Sequence, residues 1–200
     1  MKILIRIVIA SLIFGVASWV IIQVPSVQDR ILTAAFTAIG SASDNLPKEE
    51  ALSAAVCGSR SPLPSPGRAE TCILVAAGDD LFVVDIGDGS NQNLRSWNID
   101  FSDIQAVLIT HLHSDHIADL PGLHQNAWVV GERNSKLKVF GPEGVDQLTQ
   151  GIEMAYAHDY VFRNEHHGDA VAPLEYAGFD TNVIDLNDPC LLYTSPSPRD

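Results

Sequence analysis

The sequence predicts an α/β sandwich, of which this chain carries the N-terminal half, preceded by an N-terminal membrane helix. Three observations predict it. Short apolar runs of strand length alternate with stretches of helical period, the pattern of strands and helices sharing one core. The breaks between them fall on Gly, Asp and Pro, as at Ala77-Gly78-Asp79-Asp80, Gly87-Asp88-Gly89 and Gly141-Pro142-Glu143-Gly144. Finally, the apolar run Ala106-Val107-Leu108-Ile109 leads almost directly into His111-Leu112-His113-Ser114-Asp115-His116, three imidazoles and a carboxylate at the end of a buried strand.

The elements follow in order. Ile7 to Gln28 carries no charge and stands behind Lys2 and Arg6. About twenty apolar residues cross a bilayer, and positive charge ahead of such a run keeps the N-terminus in the cytoplasm. The run continues through Trp19-Val20-Ile21-Ile22, past the small residues Val16-Ala17-Ser18 where a signal peptidase could cut. An uncleaved anchor over residues 1–28 is therefore favoured over a cleaved leader and a secreted protein. Either way the rest of the chain lies outside the cytoplasm, in the bacterial periplasm. Residues 29–54 read as a membrane-proximal helix and tether, with Ile31, Leu32, Ala35, Phe36 and Ile39 at helical spacing before a polar break at Gly40 to Asn45.

Residues 55–189 form the catalytic-type domain. Cys72 to Ala76 and Leu81 to Asp85 read as a hairpin, Asn91 to Trp97 as a short helix, and Ile104 to Thr110 as a buried strand. A helix is expected from His116 to about Val130, bent or restarted at Pro121-Gly122. Leu137 to Phe140 reads as a strand, and Leu148, Ile152, Ala155 and Tyr156 give Val145 to Tyr160 helical period. Cys190 to Asp200 can be written codon for codon as a transposon-type sequencing adapter read in frame. That tail is set aside as an artefact.

The chemistry sits in the His-x-His-x-Asp-His loop. Neutral imidazole with carboxylate suits Zn, or Fe or Mn in its place. Two divalent metal ions are expected, His111 and His113 serving one, Asp115 and His116 the other. Asp85, closing its strand near that loop, is the candidate carboxylate to orient a ligand imidazole; a turn-forming Asp beside glycine is the competing reading.

This motif, its continuation Ile117-Ala118-Asp119-Leu120-Pro121-Gly122-Leu123, the loop Gly58 to Pro64 and the turn Val83 to Gly89 resemble the metallo-β-lactamase-fold hydrolases, and among them the ribonuclease Z-like branch. The resemblance runs from about Ala55 to Asp188. It implies a metallo-β-lactamase-type αββα sandwich and metal-assisted hydrolysis, with Asp115 as both ligand and catalytic residue. It also implies a further His, a bridging Asp and a last His downstream, which this chain lacks as a cluster, so the chain alone is expected to be inactive. His158, His166 and His167 are the substitutes to test, and His124 reads as a packing residue.

Net charge is −13, with 12 Lys and Arg against 25 Asp and Glu. Arg163 is the one Lys or Arg from Val139 to Pro189. Nucleic-acid binders neutralise phosphates with such residues, so the expected partner is a small anionic ester, a phosphodiester or aryl sulfate, with nucleic acid disfavoured. A ribonuclease Z-like tRNA 3′ endonuclease, a β-lactamase and an inactive metal-binding fragment are the alternatives. Cys57 and Cys72 are left open between a disulfide and two small buried residues on neighbouring strands.

Overall fold

A computed structural model of the protein describes residues 52–63 and 65–185, with isolated positions 15, 19, 23, 24, 27 and 30 ahead of them. The chain divides into units Met1–Ser43 and Asp44–Asp200, and the fold below is that of the second. Most of the expected anchor and tether, and all of the 190–200 tail, fall outside the described residues. Among the described residues no helix is long and apolar enough to cross a membrane.

Six strands form one mixed sheet whose spatial order is their chain order: β1 Leu52–Gly58, β2 Cys72–Ala77, β3 Asp80–Val84, β4 Ile104–Leu108, β5 Leu137–Gly141 and β6 Phe179–Val183. The first two pairings are antiparallel, the last three parallel. β1 begins three residues inside the expected tether, because Leu52, Ser53 and Ala54 pair with Ala77, Ala76 and Val75. The expected hairpin is β2 and β3.

Helices make the parallel crossovers. α1 Ser90–Ser96 joins β3 to β4, one residue earlier than expected. The expected helix after His116 is instead broken into α2 Ser114–Ile117, α3 Leu120–Gln125 and a π-helical turn Asn126–Val130. Pro121 lies in the first turn of α3, where its missing N–H has no intrahelical partner to lose, so it starts a helix rather than bending one. α4 Val145–His167 joins β5 to β6 and runs seven residues past the expected Tyr160. Tyr160 itself is buried with Trp128 and Ala172, and Arg163 Nε bonds Asp159 Oδ2 one turn back at 2.7 Å, so the helix has reason to continue until Gly168.

Right-handed crossovers that always step the same way along a sheet lay their helices on one face. That face carries the registered row Leu74, Val83, Val107 and Val139, all at most 1% exposed. Each contributes roughly 1.5–3 kcal/mol by leaving water. Leu94, Leu120, Leu123 and Ile152 from the helices close the same core. The other face carries Ile73, Val84, Leu108 and Phe140, also in register and only partly covered. One mixed sheet with helices on one face and apolar residues on the other is the arrangement expected for half of an αββα sandwich. A second sheet is not among the described residues.

Cys57 and Cys72 satisfy both readings left open for them. They are buried on adjacent strands, at the β1 irregularity between Val56 and Gly58, and are joined by a disulfide with Cα atoms 5.0 Å apart.

Candidate metal centre

Parallel strands bring their carboxyl ends to one rim, and in open α/β sheets that rim is where ligands bind. Asp85 follows β3 and Thr110 follows β4, side by side on it. The backbone holds them there: Asp85 N donates to Leu108 O at 2.9 Å and Ile109 N to Phe140 O at 2.7 Å. The His loop leaves β4 extended and turns into α2, with His113 in extended conformation at its head. Ile86 N donates to His116 O at 2.7 Å and Asp119 N to Ile86 O at 3.0 Å, which fastens α2 to the turn after β3. Gly87 lets the two approach: a Cβ there would overlap the Asp115 carbonyl oxygen and Glu70 Cβ. The loop after β1 is tied to the same turn, since Arg60 pairs with Glu70 at 3.3 Å and Asp88 at 3.1 Å.

All four expected ligands share this loop and fall into two pairs. His111 Nε2 and His113 Nδ1 lie 3.0 Å apart, and Asp115 Oδ2 and His116 Nε2 lie 3.7 Å apart. Two bonds of zinc length meeting at a tetrahedral angle put their donors about 3.3 Å apart, between these two values. The donor set therefore fits divalent metal in two places, with two donors to each. Among the described residues no three His, Cys, Asp or Glu side chains converge on one point that could hold a metal ion.

Asp85 is buried beneath the loop. Its Oδ2 accepts from His116 Nδ1 at 2.8 Å and from the Thr110 hydroxyl at 2.7 Å; its Oδ1 accepts from Thr110 N at 2.8 Å. Its backbone φ of 57° lies in the left-handed region, which Asp tolerates better than most residues. Thr110 was not legible as part of the site: the sequence marks it only as the last residue of a predicted strand. A hydroxyl residue between a buried strand and a His-x-His loop is the feature that could have exposed it.

The other histidines lie elsewhere. The first turn of α4 abuts the loop, where a Cβ on Gly144 would meet Leu112 at 3.0 Å. From there a rise of about 1.5 Å per residue carries His158 about 20 Å and His166 and His167 about 30 Å along the helix. His166 and His167 face each other at its exposed far end, 4.7 Å between ring centroids. His124 is the packing residue expected of it. It lies in a buried aromatic cluster against Trp128, Tyr160 and Phe179, its Nε2 accepting from Gly178 N at 2.9 Å. Burial, with Arg133 and Lys136 adding repulsion, pushes its pKa down to about 4. Asp119, which caps α1 by accepting from Asn91 N at 3.0 Å, is pushed above the usual carboxylate range by burial, with Asp88 and Glu70 adding to it.

The sequence has relatives of the same kind. It is 37% identical over 118 residues to the ribonuclease Z of Mycobacterium bovis and 38% identical over 118 residues to that of Mycobacterium marinum, covering 58% of this chain and 42% of each relative. The chain thus spans about two fifths of the length of these relatives. Solved structures with similar coordinates include a metallo-β-lactamase fold protein of Bacillus subtilis (TM-score 0.48, 20% identity, 68% of this chain and 47% of that one). Another is the short form of human tRNase Z (TM-score 0.46, 23% identity, 54% and 39%). The profile of the metallo-beta-lactamase superfamily, a group that binds divalent metals, matches residues 65–185, the stretch that contains the Asp85 turn, the His loop and every strand after β1. With more than half its length matched, the chain belongs to the metallo-β-lactamase superfamily of hydrolases, where its sequence relatives are ribonuclease Z proteins.

Proposed function

We propose that the protein is a metal-dependent hydrolase that cleaves an anionic ester, with a phosphodiester as the preferred class and an aryl sulfate as the competing one. The observation that carries this reading is the division of the loop into two donor pairs at metal-sharing separations, 3.0 and 3.7 Å. Two divalent ions held there, zinc in the first place with iron or manganese as alternatives, would supply Lewis acidity and a water acidic enough to ionise near neutral pH. His111 and His113 hold one ion, Asp115 and His116 the other. Asp115 is buried, so its carboxylate is largely kept from bulk water and could orient the nucleophile and take up its proton. Asp85 fixes the His116 ring so that Nε2 points outward. Catalytic zinc takes three protein ligands and each pair among the described residues supplies two, so turnover would call for a further ligand to each ion.

Ribonuclease Z-like cleavage of tRNA is the second reading, favoured by the ribonuclease Z relatives and opposed by the chain's net charge of −13. We assign the protein to the outside of the cytoplasm, on an N-terminal anchor. The Cys57–Cys72 disulfide supports this, since disulfides persist in oxidising compartments.

The test assays the uninterrupted gene product on chromogenic phosphodiester, aryl sulfate and β-lactam substrates and on precursor tRNA, with metal counted by mass spectrometry. Turnover of the phosphodiester, lost together with metal in His113→Ala, is the expected result. Hydrolysis confined to the β-lactam, or full metal content after His113→Ala, would overturn the reading.

A further inference from the structure

We infer that Thr110 is a positioning residue that places both donor pairs under the control of one carboxylate, Asp85. The inference rests on the metal reading above and follows from counting protons. An ionised carboxylate only accepts hydrogen bonds. The Thr110 hydroxyl must therefore donate its one proton to Asp85 Oδ2 across 2.7 Å, and His116 must carry its proton on Nδ1 to donate to the same oxygen across 2.8 Å. The second Asp85 oxygen is occupied by Thr110 N at 2.8 Å, so Thr110 is gripped by main chain and side chain at once.

With its proton directed at Asp85, the Thr110 oxygen has only lone pairs left. It faces His111 Nδ1 at 3.1 Å, so His111 must be the donor and also carries its proton on Nδ1. Each ring then presents a bare Nε2. That of His116 stands 3.7 Å from Asp115 Oδ2, and that of His111 stands 3.0 Å from His113 Nδ1. One carboxylate thus sets the tautomer of one imidazole in each pair, directly for His116 and through the hydroxyl for His111. His113, outside this relay, takes the opposite tautomer when it presents Nδ1 to a metal. Orienting partners of this kind change metal affinity by roughly 10–100-fold when removed. Loss of Asp85 would therefore loosen both places, and loss of the Thr110 hydroxyl alone would loosen the one that His111 serves.

Two measurements on the full chain test this. Long-range ¹H–¹⁵N spectra read histidine tautomers directly, and chelator-competition isotherms read zinc affinity. The expected spectra show the proton on Nδ1 at His111 and His116, with and without zinc, and on Nε2 at His113 in the zinc-loaded chain. Thr110→Val, which keeps the branched shape and deletes the hydroxyl, should weaken one zinc by roughly 10–100-fold and separate the two binding steps; Thr110→Ser should restore both. A wild-type His111 protonated on Nε2, or wild-type zinc affinities in a folded Thr110→Val, overturns the inference while leaving the metal reading intact. Should Thr110→Val fail to fold, the wild-type tautomers decide. A wild-type chain that binds no zinc overturns the metal reading itself, and the inference with it.

Discussion

Replacing His124 with Gln tests how far the fold depends on a ring that stays neutral in the folded state. His124 is 1% exposed, its Nε2 accepts the Gly178 N–H that starts β6, and its pKa falls from 6.5 to about 4, chiefly by burial. Above pH 6.5 the ring is neutral whether the chain is folded or unfolded, and the site contributes its full stability. Between pH 6.5 and 4 the unfolded chain takes up a proton that the folded one refuses, so stability falls as pH falls. A difference of about 2.5 pH units at 1.36 kcal/mol each corresponds to a loss of about 3 kcal/mol by pH 4. Gln keeps an acceptor oxygen for Gly178 and does not ionise. At pH 7.5, His124→Gln should be less stable than wild type by about 1–3 kcal/mol, the cost of imperfect packing in a filled core. By pH 4 the wild type should have lost that margin, leaving the variant as stable as it or up to about 2 kcal/mol more stable. Urea denaturation followed by tryptophan fluorescence, in chelator and at half-unit pH steps, reads the difference. Glu153, which accepts from Phe179 N, is common to both proteins, whereas the repulsion from Arg133 and Lys136 acts only on the wild-type imidazolium and is part of the shift being read. Parallel stability curves from pH 7.5 to 4 would show that the ring is not held neutral and would refute the reasoning.

Other substitutions have defined outcomes. Cys57→Ala with Cys72→Ala, or reduction of the wild type, should lower stability by about 3 kcal/mol in urea, since the bridge closes a 15-residue separation. Gly87→Ala drives a Cβ into the backbone of Asp115, so it should cost about 1–3 kcal/mol and also lower the zinc bound per chain, measured on the same sample. His166→Ala with His167→Ala should leave zinc content at the wild-type level, because both rings lie at the far end of α4.

The parts of the fold that were legible in the sequence are those whose pattern is set locally. β2, β3 and β5 have sharp apolar runs ending in turn residues, and each was placed to within one or two residues. β1 was missed because Leu52-Ser53-Ala54-Ala55-Val56 lies at the edge of the sheet, where small and exposed residues leave no contrast between faces. β6, Phe179-Asp180-Thr181-Asn182-Val183, is held by parallel pairing to β5 rather than by apolar side chains. The far end of α4 depends on Tyr160 meeting Trp128 and Ala172, a contact between segments that no local period reveals. At the site, the four loop residues were evident from spacing alone. The role of Thr110 was not, because it depends on β3 and β4 lying side by side.

The sheet's direction change at β3 also orders events during synthesis. β1, β2 and β3 pair through short antiparallel links and can form as soon as residues 52–84 leave the ribosome. Parallel pairing waits for a crossover, and such non-local contacts form slowly. The His loop can fasten to the turn after β3 once Asp119 has emerged, but its own strand gains its second neighbour only when Ile109 N finds Phe140 O, some thirty residues after the loop begins. For about two to six seconds at ordinary rates of translation, the loop and its strand are held from the β3 side alone. A chain held at that stage would present its metal donors at the end of a strand with one edge unpaired.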